Sequence, residues 1–198
     1  MRQESHQTMT HPADLPDLLA AVATGDQHAF ERLFRAWYPR LVRTAVLVAG
    51  DGDRAEDAVQ EAFVGLWRQR NALPDPRKFA GYMHRAVRNR CLNQLRGREV
   101  LSLDSASVPP LAVAPAAPLE LHEETLAGYV SQALAELPAR TREVFHLSRD
   151  EGMTYREIAE SLEISVKTVE TLMGRALAML RTTLLPRLVN PDSGSESG

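Results

Sequence analysis

The sequence predicts an all-α protein of two small helical domains, over residues 13–97 and 121–187, joined by a flexible linker over 98–120. Three observations carry this. Helix formers and arginine dominate the 198 residues, and no run keeps the alternation of a strand. Apolar residues recur instead at helical spacing in several separate runs. Between the two groups of runs, Ser102, Ser105 and Ser107 are followed by Pro109, Pro110, Pro115 and Pro118 among alanines, a composition that cannot build a packed core.

Residues 1–12 are polar and expected to be disordered. Asp14 to Ala23 predicts a short helix with Leu15, Leu18, Leu19 and Val22 inward. Gly25-Asp26 then starts a longer helix carrying Phe30, Leu33, Phe34, Trp37, Leu41, Ala45 and Val48, in which Pro39 predicts a kink or break. Gly50-Asp51-Gly52-Asp53 is a turn and a start signal. The helix after it presents Ala55, Ala58, Val59, Ala62, Phe63, Leu66 and Trp67 on one face. Pro74 and Pro76 make 71–78 a loop. The pattern from Phe79 to Leu95 is again helical, with Tyr82, Met83, Ala86, Val87, Cys91, Leu92 and Leu95 as the buried stripe.

After the linker, helical periodicity resumes near Leu121 and runs through Leu126, Val130, Ala133, Leu134 and Leu137. Pro138 opens another helix (Val144, Phe145, Leu147), which Gly152 ends. Thr154 then caps a helix with Ile158, Ala159 and Leu162 on one face, and Glu157 three residues later completes a capping box. A break at Glu163-Ile164 precedes a second cap, Ser165, and the apolar series Val166, Val169, Leu172, Met173, Ala176, Leu177 and Leu180. Two caps around a tight turn, with apolar residues on both arms, read as a helix–turn–helix. The second helix leaves Lys167, Thr168, Glu170, Thr171, Gly174 and Arg175 on its outer face, which favours DNA binding. Residues 188–198 are expected to be disordered.

A net charge of −3 is unusual for a nucleic-acid binder, but the charge is segregated. Between Leu66 and Arg98 nine basic residues face Asp75 alone. Between Asp51 and Phe63 five acids meet only Arg54, and between Glu99 and Glu124 five acids meet no Lys or Arg. Such blocks suit separate surfaces for separate partners. The single cysteine, Cys91, excludes an intramolecular disulfide and a multi-cysteine metal site. No phosphate-binding loop, metal-ligand cluster or nucleophile–base pair appears, and the six histidines are scattered, so neither an enzyme nor a cofactor or metal is expected. No run is long and apolar enough for a membrane span, and the N-terminus lacks an apolar signal core, so a cytoplasmic protein is expected.

Three segments, in this order, resemble the extracytoplasmic-function (ECF) class of bacterial sigma factors, the small two-domain promoter-specificity subunits of RNA polymerase. DRAEDAVQEAFVGLW (53–67) resembles the core-binding helix of sigma region 2. GYMHRAVRNRCLNQLR (81–96) resembles its minus-ten-recognition helix, with Asn93 where Asp is common. The segment 136–181, ending in TYREIAESLEISVKTVETLMGRALAMLR, resembles the region 4 helix–turn–helix, with Glu163 in place of the usual turn glycine. The resemblance implies that Asp57, Gln60, Glu61 and Phe63 dock on a coiled coil of the largest catalytic subunit of core RNA polymerase. A solvated acidic face around a core Phe63 is the plain alternative.

It further implies that Arg77, Lys78, Arg85, Arg88, Arg90 and Arg96 contact phosphates of the minus-ten region. Tyr82, His84 and Asn89 become candidates for contacting separated bases; Tyr82 fits core packing equally well, and His84 a plain surface position. Lys167, Thr168, Glu170, Thr171 and Arg175 become the readers of the minus-thirty-five element, although Glu170 could serve only to orient Arg175. The acidic linker, about 25–30 Å across as a coil, would let the two domains reach separate promoter elements. Promoter DNA and core polymerase are the implied partners, an anti-sigma protein is a further one, and no membrane insertion is implied. The competing reading is a dimeric helix–turn–helix regulator not stably bound to polymerase, but residues 1–97 show no strands for its sensing domain.

Overall fold

The computed structural model describes residues 14–103 and 126–189. All regular elements among them are helical, and they fall into two compact units, one on either side of the 104/105 boundary. The polar start (1–12), most of the linker (104–120), the start of the helical pattern at 121–125 and the tail after 189 lie outside the described residues.

In the first unit, α1 (Leu15–Ala23) buries Leu18, Leu19 and Val22 and stops at Thr24 and Gly25 (φ 91°). α2 (Gln27–Ala49) begins where the Asp26 carboxylate accepts from the His28 and Ala29 amides at 2.8 and 3.1 Å. Of the kink or break expected at Pro39, the break does not occur: α2 continues to Ala49. Pro39 sits on the exposed side, while Leu33, Trp37, Leu41 and Ala45 bury the other side continuously and hold the helix across the missing hydrogen bond. Gly50 (φ 68°) ends α2, and Asp51 caps α3 (Gly52–Arg68) by accepting from the Arg54 amide at 3.0 Å.

Two short 3₁₀ turns, 70–72 and 76–78, fill the Pro74–Pro76 loop, the second capped by Asp75. α4 (Phe79–Leu103) runs well beyond the expected end at Leu95, into what composition assigned to the linker. Arg96 to Leu103 contains no proline, and its one glycine, Gly97, costs a helix only about 1 kcal/mol relative to alanine. α4 packs on both α2 and α3. Their common core holds Leu33, Leu41, Val59, Phe63, Leu66, Phe79, Met83, Val87 and Cys91, with Trp37 edge-on to Phe79 at 5.0 Å between centroids.

The second unit comprises α5 (Leu126–Ala135), α6 (Ala139–Arg149), α7 (Tyr155–Leu162) and α8 (Val166–Val189). The capping box forms as expected: the Glu157 amide donates to Thr154 Oγ1, and the Thr154 amide donates to the Glu157 carboxylate at 2.7 Å. Ser165 Oγ accepts from the Thr168 amide at 3.0 Å and starts α8. Val144, Leu147, Met153, Ile158, Leu162, Val169 and Met173 form the core between the arms. Ala133, Leu137, Ala176 and Leu180 join α5 to α8. Val166 and Leu177, expected inward, are each 41 % exposed. Val166 is the first residue of α8, and Leu177 lies one residue past the Val169–Met173–Ala176–Leu180 stripe.

Glu163 makes the turn in the left-handed conformation (φ 55°, ψ 45°), the place where glycine has no steric cost. Glu163→Gly is therefore expected to stabilise the second unit by about 0.5–1 kcal/mol, since it relieves a β-carbon clash. Slower amide exchange across α7 and α8 in the full chain would register the gain; faster exchange would show that the glutamate side chain matters more than its backbone strain.

Candidate functional site

α3 displays its acids along one side. Asp57 and Glu61 are a helical turn apart, Gln60 lies beside them, and all are exposed, with Val64 (48 % exposed) next along the surface. Phe63 does not join them. It is 2 % exposed, edge-on to Phe30 at 6.1 Å and tilted against Phe34 at 4.7 Å. Its proposed docking role is corrected to a core role, because position 63 follows Val59 and Leu66 into the α2–α3 seam.

Tyr38 escaped the sequence reading. It stacks on Phe34 at 4.8 Å between centroids and brings its hydroxyl to the acidic face. Burial raises its phenol above the usual value; a hydrogen bond with Gln60 pulls the other way, and Glu56 and then Asp57 push it up further. The signal was present as the i, i+4 spacing of Phe34 and Tyr38.

The basic surface runs from the second 3₁₀ turn onto α4. Arg77, Lys78, Arg85, Asn89 and Arg96 are exposed, and Arg88 and Tyr82 are half-buried. Asp75, the lone acid of this stretch, is engaged by the Arg77 amide at 2.8 Å, so it shapes the loop entering α4. His84 is 1 % exposed and is not a surface residue, which corrects its assignment to base contacts. α4 is covered by two helices rather than one, so its buried sector is wide enough to take position 84 together with Met83 and Val87.

On α8, Lys167, Thr168, Glu170, Thr171, Gly174 and Arg175 are all exposed. Thr168 and Thr171 partly serve the helix itself: Thr168 Oγ1 lies 2.7 Å from Ser165 Oγ, and Thr171 Oγ1 donates to the Lys167 carbonyl at 2.9 Å. Among the described residues Glu170 and Arg175 form no ion pair, so Glu170 does not orient Arg175 here. Lys167 and Arg175 can meet phosphates or guanine edges, and Glu170 can accept from cytosine.

A second group missed in the sequence fixes this helix pair. Arg140 on α6 donates from Nη1 to the buried Glu143 carboxylate at 2.6 Å and from Nη2 to the Leu162 carbonyl at 2.9 Å, which ties α6 to the end of α7 just before the turn. Among the described residues no cluster of His, Cys, Asp or Glu could hold a metal ion, and no helix is long and apolar enough to cross a membrane.

Two domain families match, one on each unit: Sigma-70 region 2 over residues 33–100 and Sigma-70 region 4 over residues 127–180. The ECF RNA polymerase sigma factor SigM of Mycobacterium tuberculosis is 30 % identical over 174 residues, spanning 88 % of this chain and 86 % of SigM. The chain belongs to the ECF family of RNA polymerase sigma factors. A second relative of this sigma factor, SigE of Mycolicibacterium smegmatis, is 31 % identical over 193 residues, covering 93 % of this chain and 74 % of SigE. In solved structures it is similar to CnrH in complex with the cytosolic domain of CnrY, with a TM-score of 0.58, 27 % identity, and coverage of 90 % of this chain and 99 % of that one.

The acidic face and the basic surface of this sigma factor both fall within region 2, and the exposed face of α8 falls within region 4. The expected all-α fold and sigma-factor family are thereby established.

Proposed function

We propose that this sigma factor binds core RNA polymerase through Asp57, Gln60 and Glu61, with Tyr38 beside them, and directs promoter-specific initiation. Arg77, Lys78, Arg85, Arg88 and Arg96 would hold the minus-ten region by its phosphates, with Asn89 and the half-buried Tyr82 next to the separated strand. Lys167, Thr168, Glu170, Thr171 and Arg175 would read the minus-thirty-five element in the major groove. Residues 104–125 would connect the two readers. The protein then acts in the cytoplasm, as a non-catalytic specificity subunit, and an anti-sigma protein is a further partner. That CnrH is solved in complex with the cytosolic domain of CnrY supports a protein partner besides polymerase.

One observation carries this reading above a dimeric regulator: regions 2 and 4 match in chain order on separate units. The acidic face of α3 and the basic surface of the second 3₁₀ turn and α4 also lie on different elements of the first unit, so that unit can meet a basic protein surface and a DNA backbone together. Reconstitution with core polymerase followed by run-off transcription tests it. Specific start sites above the background of core enzyme alone are expected; their absence, with both proteins active, would overturn the reading. Within that assay Arg175→Ala should lower initiation from promoters that depend on the upstream element on the order of tenfold, with core association unchanged.

A further inference from the structure

Arg90 belongs by sequence to the basic run of α4, and composition alone sends it to the DNA backbone with its neighbours. Its geometry points elsewhere. Nη1 donates to the Ala86 carbonyl of its own helix at 3.0 Å. The guanidinium lies against the backbone of α3 at Gly65, where a β-carbon would come within 2.6 Å of Nη2. Nε stands 3.9 Å from the Glu61 carboxylate, and the Arg90 side chain is 30 % exposed against 62 % for Glu61.

Gly65 lies on the same stripe of α3 as Asp57 and Glu61, each a further turn along. Glycine in a helix interior is unfavourable relative to alanine. Here its lack of a side chain opens a notch at the end of the acidic stripe, and Arg90 fills that notch from the neighbouring helix.

We propose that Arg90 is a positioning residue for polymerase docking, seated on Gly65 to hold Glu61 in its docking orientation, rather than a phosphate contact. This rests on the docking role given to Glu61 above. At 3.9 Å the pair is an ion pair without a hydrogen bond, so the Glu61 oxygens stay available to an incoming basic surface. Restricting a long exposed side chain before association removes part of the ordering cost that docking would otherwise meet. The pair is exposed, so its contribution is modest. Arg90 thereby links the helix that faces polymerase to the helix that faces DNA.

The test measures equilibrium binding of the full-length chain to core polymerase for wild type, Glu61→Gln, Arg90→Ala, Gly65→Ala and the Glu61→Gln/Arg90→Ala double variant. The salt dependence of promoter binding by each holoenzyme is recorded alongside. Arg90→Ala should weaken core binding about threefold. Gly65→Ala should reproduce that loss, because the added methyl displaces only the far end of a flexible side chain. The double variant should bind no more weakly than Glu61→Gln alone, and the salt slope of promoter binding should not change.

If Arg90→Ala instead lowers that slope by about one, Arg90 is a phosphate contact and the proposal fails. The proposal also fails if the threefold loss persists undiminished in the Glu61→Gln background, since a general loss of stability would act with or without Glu61. A Glu61→Gln variant that binds core polymerase like wild type removes the docking role of Glu61 itself, which is a different failure from an additive double variant.

Discussion

Alanine in place of Phe63 is expected to destabilise the first unit by about 3–5 kcal/mol, rather than to trim a docking contact from an otherwise intact surface. The ring is 2 % exposed and meets Phe30 and Phe34 in the α2–α3 seam, with Val59 and Leu66 on the same buried face of α3. Truncation removes both the buried apolar area and the aromatic pairings, and the surrounding helices can collapse only partly into the space. Against a total stability of about 5–15 kcal/mol for a domain, that loss removes a large share of the margin and lowers the unfolding midpoint. Phe63→Leu, which keeps most of the volume, should cost less than about 1.5 kcal/mol. Denaturant unfolding followed by helical circular dichroism separates the two variants. An alanine variant that unfolds at the wild-type midpoint yet fails to bind polymerase would return Phe63 to the docking surface.

Phe63 and His84 also show where sequence periodicity stops being informative. The helix starts were legible because their signals are local: Asp26, Asp51, Thr154 with Glu157, and Ser165 each bond an amide within three residues. The outer face of α8 was legible for a similar reason. Along its N-terminal half Val169, Met173 and Ala176 form the buried stripe with Leu172 packed beside it, which leaves Lys167, Thr168, Glu170, Thr171, Gly174 and Arg175 outward. In the first unit the width of a buried sector depends on how many helices cover it, which no local pattern records. α4 lies against both α2 and α3, and this carries His84 inside together with the apolar stripe.

The end of α4 was illegible for the opposite reason. No cap or proline marks it before Leu103, and the composition of the following linker was extended backward over residues that still favour helix. At the candidate surfaces, residue type and helix face placed Asp57, Gln60, Glu61, Lys167 and Arg175 outward. The partners of Arg90 and Arg140 depend on contacts between elements, as does the contact of Tyr38 with Gln60 on α3, and these became visible only with the fold. Only the Phe34–Tyr38 pairing within α2 was already present in the spacing.

Charge reversal at Asp57 should produce the largest functional loss of any surface substitution, weakening core polymerase association about 30- to 100-fold. That corresponds to about 2–3 kcal/mol when an attraction to a basic surface becomes a repulsion. Asp57 is exposed and does not cap α3, a task performed by Asp51, so Asp57→Arg should leave the fold intact. Tyr38 supplies an internal check. Its phenol is raised first by burial and, with a smaller contribution, by the negative charge at Asp57, so the arginine variant should titrate Tyr38 at lower pH than wild type while burial still holds it up. Ionic strength then separates electrostatics from damage. Added salt screens exposed charges over about 10 Å at 0.1 M and less beyond that, so the gap between wild type and variant should narrow as salt rises. A gap that stays constant from low to high salt would mean that Asp57 does not face a basic partner, whereas a Tyr38 titration that does not move would mean that Asp57 does not act on Tyr38 within the protein.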